Sequence, residues 1–189
     1  MTRGIRAAFV LAVLAGLLAG CARYTLVEPK ARTIADLYTV EPQTRWSALT
    51  DGKWEVWTVD GAGLEAIQFL KGLEDGEPLF RTSDAQKRMK FRNAMSPSEL
   101  AELLADGLSS IGVQNIAVTN LRPQKFGSAD GFRCDLTFLT KNGLEKQGMA
   151  AGGTMNGRLY LVLYTGTKLH YYEAHRGHAE QIIQSIRMK

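Results

Sequence analysis

Apolar residues recur at helical spacing in one long stretch of the chain and alternate with polar residues in several others. The clearest helix start is Ser96-Pro97-Ser98-Glu99, in which Ser96 is the predicted N-cap and Glu99 completes a capping box. Gly112 is expected to end this helix as its C′ residue. The stripe expected to face the core has helical spacing and consists of Leu100, Leu103, Leu104, Leu108 and Ile111.

Beyond Gly112 the period changes to two, which predicts an antiparallel meander of four or five strands. Residues 113–121 form its first strand, and Asn142-Gly143 and Asn156-Gly157 are hairpin turn signals. The second strand has a clear alternation that places four apolar residues on one face, namely Phe132, Cys134, Leu136 and Phe138. Arg133, Asp135 and Thr137 then occupy its other face.

The end of the chain is predicted as strand followed by helix. Residues 158–164 form a strand, residues 165–168 lead out of it, and residues 169–173 offer a fifth strand. A terminal helix is expected from about His178. Its core-facing residues have helical spacing and are Ala179, Ile182, Ile183 and Ile186.

An early hairpin precedes these elements. Residues 53–59 and 63–70 flank the turn signal Asp60-Gly61, and residues 45–51 form a strand before them. At least two of the three tryptophans are expected in the core; they are Trp46, Trp54 and Trp57. Together these elements predict an α+β fold in which an antiparallel β-sheet has helices packed on its faces.

The amino-terminal residues have the form of a secretion signal. Arg3 and Arg6 precede an apolar run of roughly 14 residues, which is shorter than the ~20 that span a bilayer. The run ends in Leu18-Ala19-Gly20-Cys21, which resembles the lipobox of bacterial lipoproteins. We therefore predict a signal peptide over residues 1–20; a plain secretory signal with a chance cysteine is the alternative.

The lipobox resemblance implies that Cys21 carries a diacylglyceryl thioether and that its new amino group carries a third acyl chain. Several acyl chains together anchor a protein stably, whereas one binds reversibly. In Gram-negative lipoproteins, an aspartate directly after the lipidated cysteine favours retention on the inner membrane. Ala22 occupies that position here, so the resemblance implies the periplasmic face of the outer membrane; the inner membrane is the alternative. The predicted organisation is a lipidated tether over 21–37, with residues 24–27 open to interpretation as an early strand, and one α+β domain over 38–189.

Composition excludes some classes of partner. Signal-peptide removal takes away Arg3 and Arg6 and no acidic residue, so the formal net charge falls by two from +4. This mild balance is not typical of a nucleic-acid-binding protein, which has a clustered basic face. Residues 87–92 are basic with Met89 and Phe91 interleaved; they suit either an anionic partner or, as we favour, a solvated segment with both apolar side chains turned inward.

Motifs that carry chemistry are sparse. The sequence contains no G-x-S-x-G, P-loop, H-E-x-x-H or C-x-x-C motif, and the glycines of Ala151-Gly152-Gly153-Thr154 suit close strand packing. Cys134 has no partner cysteine once Cys21 is lipidated, so it is expected to be a small core residue. We predict no catalytic residue, metal or cofactor. The alternative is a metal-dependent or hydrolytic enzyme using three neighbouring histidines, His170, His175 and His178, with Glu173 or Glu180 as further ligands.

Four short stretches resemble an uncharacterised family of proteobacterial lipoproteins. They are Trp57-Thr58-x-Asp60-Gly61-x-x-Leu64, Phe91-x-x-x-Met95-Ser96-Pro97-x-Glu99-Leu100, Gly157-Arg-Leu-Tyr160 and Ile182-Ile-x-Ser185. The order of elements also resembles the PsbP-like α/β/α sandwich of photosystem II extrinsic subunits and a Ran-binding import factor. The resemblance implies a non-catalytic binding or assembly module of the cell envelope with a protein partner.

Overall fold

The computed structural model of the chain describes residues 24–189, so the predicted signal peptide and Cys21 lie outside the described residues. The main sheet has eight antiparallel strands, which are β1 Thr25–Val27, β4 Trp46–Asp51, β5 Trp54–Thr58, β6 Glu65–Leu73, β7 Gln114–Pro123, β8 Gly131–Leu139, β9 Glu145–Met155 and β10 Arg158–Thr167. Their order across the sheet is β1-β4-β5-β6-β10-β9-β8-β7. A smaller sheet of order β11-β3-β2 consists of β2 Arg32–Ile34, β3 Tyr38–Val40 and β11 Arg187–Met188.

Two helices cover opposite faces of the main sheet. They are α1, Pro97–Ser110, and α2, Tyr171–Gln184, and a short 3₁₀ helix lies at Ala85–Lys87. Along β10, Leu159, Leu161 and Leu163 belong to the core that contains the leucines of α1, and the residues between them belong to the core beneath α2. We call the core that contains the leucines of α1 the α1 core and the core beneath α2 the α2 core. Ile34, Tyr38 and Val40 of the smaller sheet are buried in the α2 core. The predicted α+β class, an antiparallel sheet with helices on its faces, is therefore confirmed. Among the described residues, no helix combines the length and apolar character needed to cross a bilayer.

Local sequence signals account for the ends of α1. The Ser96 N–H donates to Glu99 Oε2 at 2.7 Å while Glu99 N–H donates to Ser96 Oγ, which confirms the capping box. At the other end Gly112 has φ +88°, and the N–H groups of Gly112 and Val113 donate to the carbonyls of Ser109 and Leu108. This pair of bonds is a Schellman motif, so the predicted C′ glycine is confirmed.

The meander is joined by the predicted turns. Asn156 and Gly157 both have positive φ, as a type I′ turn between β9 and β10 requires. The glycines of β9 are explained by close packing, because a Cβ on Gly152 would lie 2.7 Å from the Tyr160 carbonyl oxygen. The prediction that these glycines serve close strand packing is thus confirmed.

The predicted fifth strand at residues 169–173 is wrong, and so is a terminal helix starting at His178. Strand β10 continues to Thr167, and α2 begins at Tyr171. The two tyrosines look strand-like in sequence, but Tyr172 is buried in the same core as Ala179, Ile182 and Ile183, which is helical spacing. The Tyr164 hydroxyl bonds the carbonyls of Tyr171 and Tyr172 at 2.9 Å and fixes the first turn.

The segment predicted as a tether contributes paired strands. Strand β1 pairs with β4, which confirms the early-strand alternative for residues 25–27, and β2 pairs with β3. Val27 and Ile34 are fully buried. The predicted tether and domain boundaries stay a prediction, but from Thr25 onward this segment supplies core residues. In the basic segment, Phe91 is buried and Met89 packs beneath α1, as expected.

Cys134 is buried in the α1 core, and its burial raises the pKa of the thiol to about 11. In a full-length Cys21→Ala chain it is the single cysteine. We expect negligible reaction with a disulfide reagent at neutral pH in buffer, because the reactive thiolate is suppressed and enclosed. One thiol per chain should react rapidly in guanidinium. Rapid labelling of the folded chain would contradict the assigned environment.

Candidate functional site

An open cleft of about 560 Å³ lies between the β4–β5 turn and the segment that follows β6. Its apolar lining residues include Trp54, Leu79, Phe80 and Ile111. The rings of Trp54 and Phe80 are stacked, with centroids 5.3 Å apart and planes inclined by 12°. Trp54 is half-buried, so its ring is accessible at the cleft. The volume lies within the range of small-molecule and side-chain binding pockets.

Charged residues of both signs line the same cleft. Lys53 forms an ion pair with Glu77, and Arg81 lies 3.8 Å from the same carboxylate. The hydrogen bond from Lys53 holds the pKa of Glu77 below its usual value, so the carboxylate stays ionised at neutral pH. Aromatic residues beside charged ones, including an arginine, are a combination found at protein-binding surfaces.

The cleft wall is held in place by the loop between β6 and α1. Backbone bonds of 2.8 Å join Gly76 N–H to the Phe91 carbonyl and Phe91 N–H to the Glu77 carbonyl. Leu79 packs against Gly107 of α1, where a Cβ would lie 2.7 Å from Leu79 Cδ2. These contacts position Phe80 over Trp54, so the cleft is preformed.

The first described residues lie beside the cleft. Thr25 pairs with Ala48, and β4 ends three residues later at Asp51, which lines the cleft. Because β1 is antiparallel to β4, its amino-terminal end points toward the β4–β5 turn. The amino-terminal end of β1 therefore lies on the side of this turn.

Two of the three tryptophans are core residues, as predicted. Trp46 and Trp57 are fully buried, whereas Trp54 is not. The Trp57 indole N–H donates to Glu55 Oε1 at 2.8 Å, and Arg32 pairs with the same carboxylate. This bonding explains why a glutamate is buried beside a tryptophan on that face.

The three histidines do not form the site that the sequence suggested. His170 is exposed at the start of α2, and His175 and His178 share one helix face with ring centroids 6.2 Å apart. Glu180 pairs with Arg133 and Glu173 is exposed, so neither completes a histidine site. None of these histidines lines the cleft. The enzymatic alternative based on this cluster is not favoured.

The structure instead brings His175 to two acidic residues of the β5–β6 hairpin. His175 Nε2 lies 2.7 Å from Asp60 Oδ2, and a donor atom from each of Asp60, Glu65 and His175 lies within 4.8 Å of the others. Sequence reasoning missed Asp60 and Glu65, which it assigned to a turn and a strand. An available signal was the alternation in β6, which puts Glu65 on the same core-facing side as Ile67 and Phe69.

Comparison with known proteins gives no family. No family model matches the chain, and none of the curated proteins does. Among solved structures, a Bacteroides thetaiotaomicron protein is similar at 10% identity with a TM-score of 0.51, over 86% of this chain and 49% of that one. The chain thus spans about half the length of that protein, and the likeness concerns the fold alone.

Two further solved structures are similar at lower scores. The solution structure of cyanobacterial PsbP (CyanoP) from Synechocystis sp. PCC 6803 has 12% identity and a TM-score of 0.48, over 90% of this chain and 95% of that one. LpqN of Mycobacterium tuberculosis, described as involved in cell envelope biogenesis, has 8% identity and a TM-score of 0.40, over 90% of this chain and 87% of that one. The three similarities indicate no activity, and the resemblance to a proteobacterial lipoprotein family stays a prediction.

Proposed function

We propose that the mature protein is a non-catalytic binding or assembly module of the cell envelope. Lipids on Cys21 anchor it to the periplasmic face of the outer membrane, and the cleft binds an apolar segment of a protein partner. The observation that carries this proposal is the preformed cleft with the accessible Trp54–Phe80 stack. Tryptophan is among the side chains that most often dominate protein-binding energies.

The position of the anchor suggests where the partner lies. Cys21 precedes Thr25 by four residues, and a chain spans at most about 3.6 Å per residue, so the two are within about 14 Å. Since the amino-terminal end of β1 points toward the β4–β5 turn, which lines the cleft, an anchor at Cys21 would keep the cleft near the membrane surface. This geometry favours a partner that is itself embedded in, or bound to, the membrane surface.

Strand addition to a sheet edge is a less suitable binding mode. The long edge strand β7 is exposed, but its register with β8 shifts twice, and Asn115 and Asn120 have positive φ at these irregularities. Such bulges twist an edge and interrupt its free hydrogen-bonding groups. The cleft is therefore the better candidate surface.

Site-specific photo-crosslinking in the native envelope tests the proposal. A photoreactive amino acid replacing Phe80 in the lipidated protein is expected to give a discrete protein adduct, and Trp54→Ala in the same chain should reduce its yield more than about tenfold, as for a binding hot spot. The matched control carries the photoreactive residue at Leu169, which is 98% exposed and outside the cleft.

The proposal predicts no corresponding adduct from position 169. Trp54→Ala is expected to keep the far-ultraviolet circular dichroism spectrum of a folded chain, because Trp54 is only half-buried. Equal adducts from positions 80 and 169, or a yield insensitive to Trp54→Ala in a folded chain, would refute the cleft as the binding surface.

A further inference from the structure

We propose that Asp60, Glu65 and His175 bind a divalent transition-metal cation of the zinc class, which joins the β5–β6 hairpin loop to α2. The three residues offer one nitrogen and two carboxylate oxygens from different elements of the fold. This site is separate from the cleft and does not involve His170 or His178 as ligands.

The spacing of the donor atoms suits one ion. Zinc binds nitrogen and oxygen at about 2.0–2.2 Å, so any two of its ligands lie at most about 4.4 Å apart. The three donor atoms already lie within 4.8 Å of one another, and the His175–Asp60 pair is at 2.7 Å. Movements of less than about 1 Å would therefore bring all three into coordination distance.

Glu65 gives an independent indication that a ligand belongs here. Its side chain is fully buried, and Oε1 accepts hydrogen bonds from the Thr58 hydroxyl and from the N–H groups of Val59 and Asp60. Its second oxygen, Oε2, is buried without a hydrogen-bond partner. An unsatisfied buried carboxylate oxygen costs free energy that a bound cation would offset, while the donors to Oε1 hold the carboxylate as outer-shell partners of metal ligands do.

His175 and Asp60 complete the arrangement. The imidazole is largely enclosed, with its Nδ1 buried and unpartnered, and Nε2 faces the Asp60 carboxylate. The Asp60 side chain is 43% exposed, which leaves a path from solvent to the site. Among the described residues, no lysine or arginine forms an ion pair with Asp60 or Glu65, and the buried Lys146 attracts Glu65 only from a longer distance. Two carboxylates facing one such lysine keep a formal net negative charge that attracts a cation.

The donor set indicates the class of ion. Calcium and magnesium prefer oxygen ligands alone, whereas an imidazole with carboxylates suits zinc and its neighbours in the first transition row. Three protein ligands would leave a fourth position for water. The simplest role is that of a structural metal ion, because it would fix a hairpin loop to a helix that lies more than a hundred residues further along the chain.

Calorimetric titration of the lipidated protein in detergent with zinc chloride, after treatment with a chelator, tests this proposal. We expect saturable binding of one ion per chain and a higher melting temperature with zinc than without. Asp60→Asn and His175→Gln should each weaken binding at least tenfold. The matched control is His170→Gln, which removes an exposed histidine of the same region and should bind zinc as the original protein does.

A spectroscopic measurement places the ion. Trp46 has its ring centroid 6.2 Å from that of His175, so bound Ni²⁺ should quench part of the tryptophan emission, and His175→Gln should abolish this quenching. Circular dichroism of each variant establishes that it is folded. The proposal is overturned if the protein shows no saturable binding, if Asp60→Asn and His175→Gln bind as well as the original, or if His170→Gln loses binding equally; the 2.7 Å contact is then an ordinary hydrogen bond between loop and helix.

Discussion

Replacing Cys21 by alanine is expected to convert the protein from a membrane-bound to an unprocessed or soluble form. The predicted lipid attachment requires the cysteine thiol, and without acyl chains only the apolar run of the uncleaved signal peptide, which is too short to span a bilayer, remains to hold the protein on a membrane. In fractionated cells we expect the original protein in the membrane pellet and the variant largely outside it or retained as precursor. Intact mass should show the loss of the acyl chains and retention of residues 1–20.

The second cysteine offers the matched control for this experiment. Cys134→Ala removes a thiol buried in the α1 core and leaves the predicted lipobox intact. That variant should retain the mass and membrane fractionation of the original protein, with at most a lower stability. If Cys21→Ala also retained both properties, the lipoprotein assignment would have to be abandoned.

Replacing Glu180 by alanine is expected to cause the largest loss of stability among the polar substitutions considered. Arg133 on β8 is nearly buried, and both of its terminal nitrogens bond the Glu180 carboxylate of α2, one of them at 2.6 Å. These bonds raise the pKa of Arg133, so the guanidinium stays charged throughout the working pH range. Removing one partner of a buried pair leaves an uncompensated charge and typically costs about 3–5 kcal/mol of unfolding free energy.

Urea unfolding of single and double variants measures this effect. The double replacement Arg133→Met with Glu180→Leu should recover most of the lost stability, because no charge is then left buried. Glu173→Ala is the control, since its contact with Arg176 on the same helix is exposed and exposed pairs contribute little. Equal, small changes for Glu180→Ala and Glu173→Ala would show that the buried pair does not hold α2 to the sheet.

Much of the local structure could be predicted from residues that are close together in the sequence. The capping box and the Gly112 terminus of α1, the Asn156-Gly157 turn and the inward face of β8 each follow from a few neighbouring side chains. The start of α2 could not be predicted in this way. Its first turn contains two tyrosines with high strand propensity, and burial of Tyr172 beside Ala179 selects the helix only in the folded chain.

The sequence by itself determined the lipobox prediction, the α+β class and the expectation that most tryptophans are buried. Only the tertiary structure decided where function could reside. Pairing of β10 with β6 places the meander beside the early hairpin, and α2 then returns across that sheet, so that His175 contacts Asp60. The cleft likewise needs Trp54 and Phe80 to meet. Periodicity reports which face of an element is apolar but not which strands become neighbours, and convergence of distant side chains depends on that order.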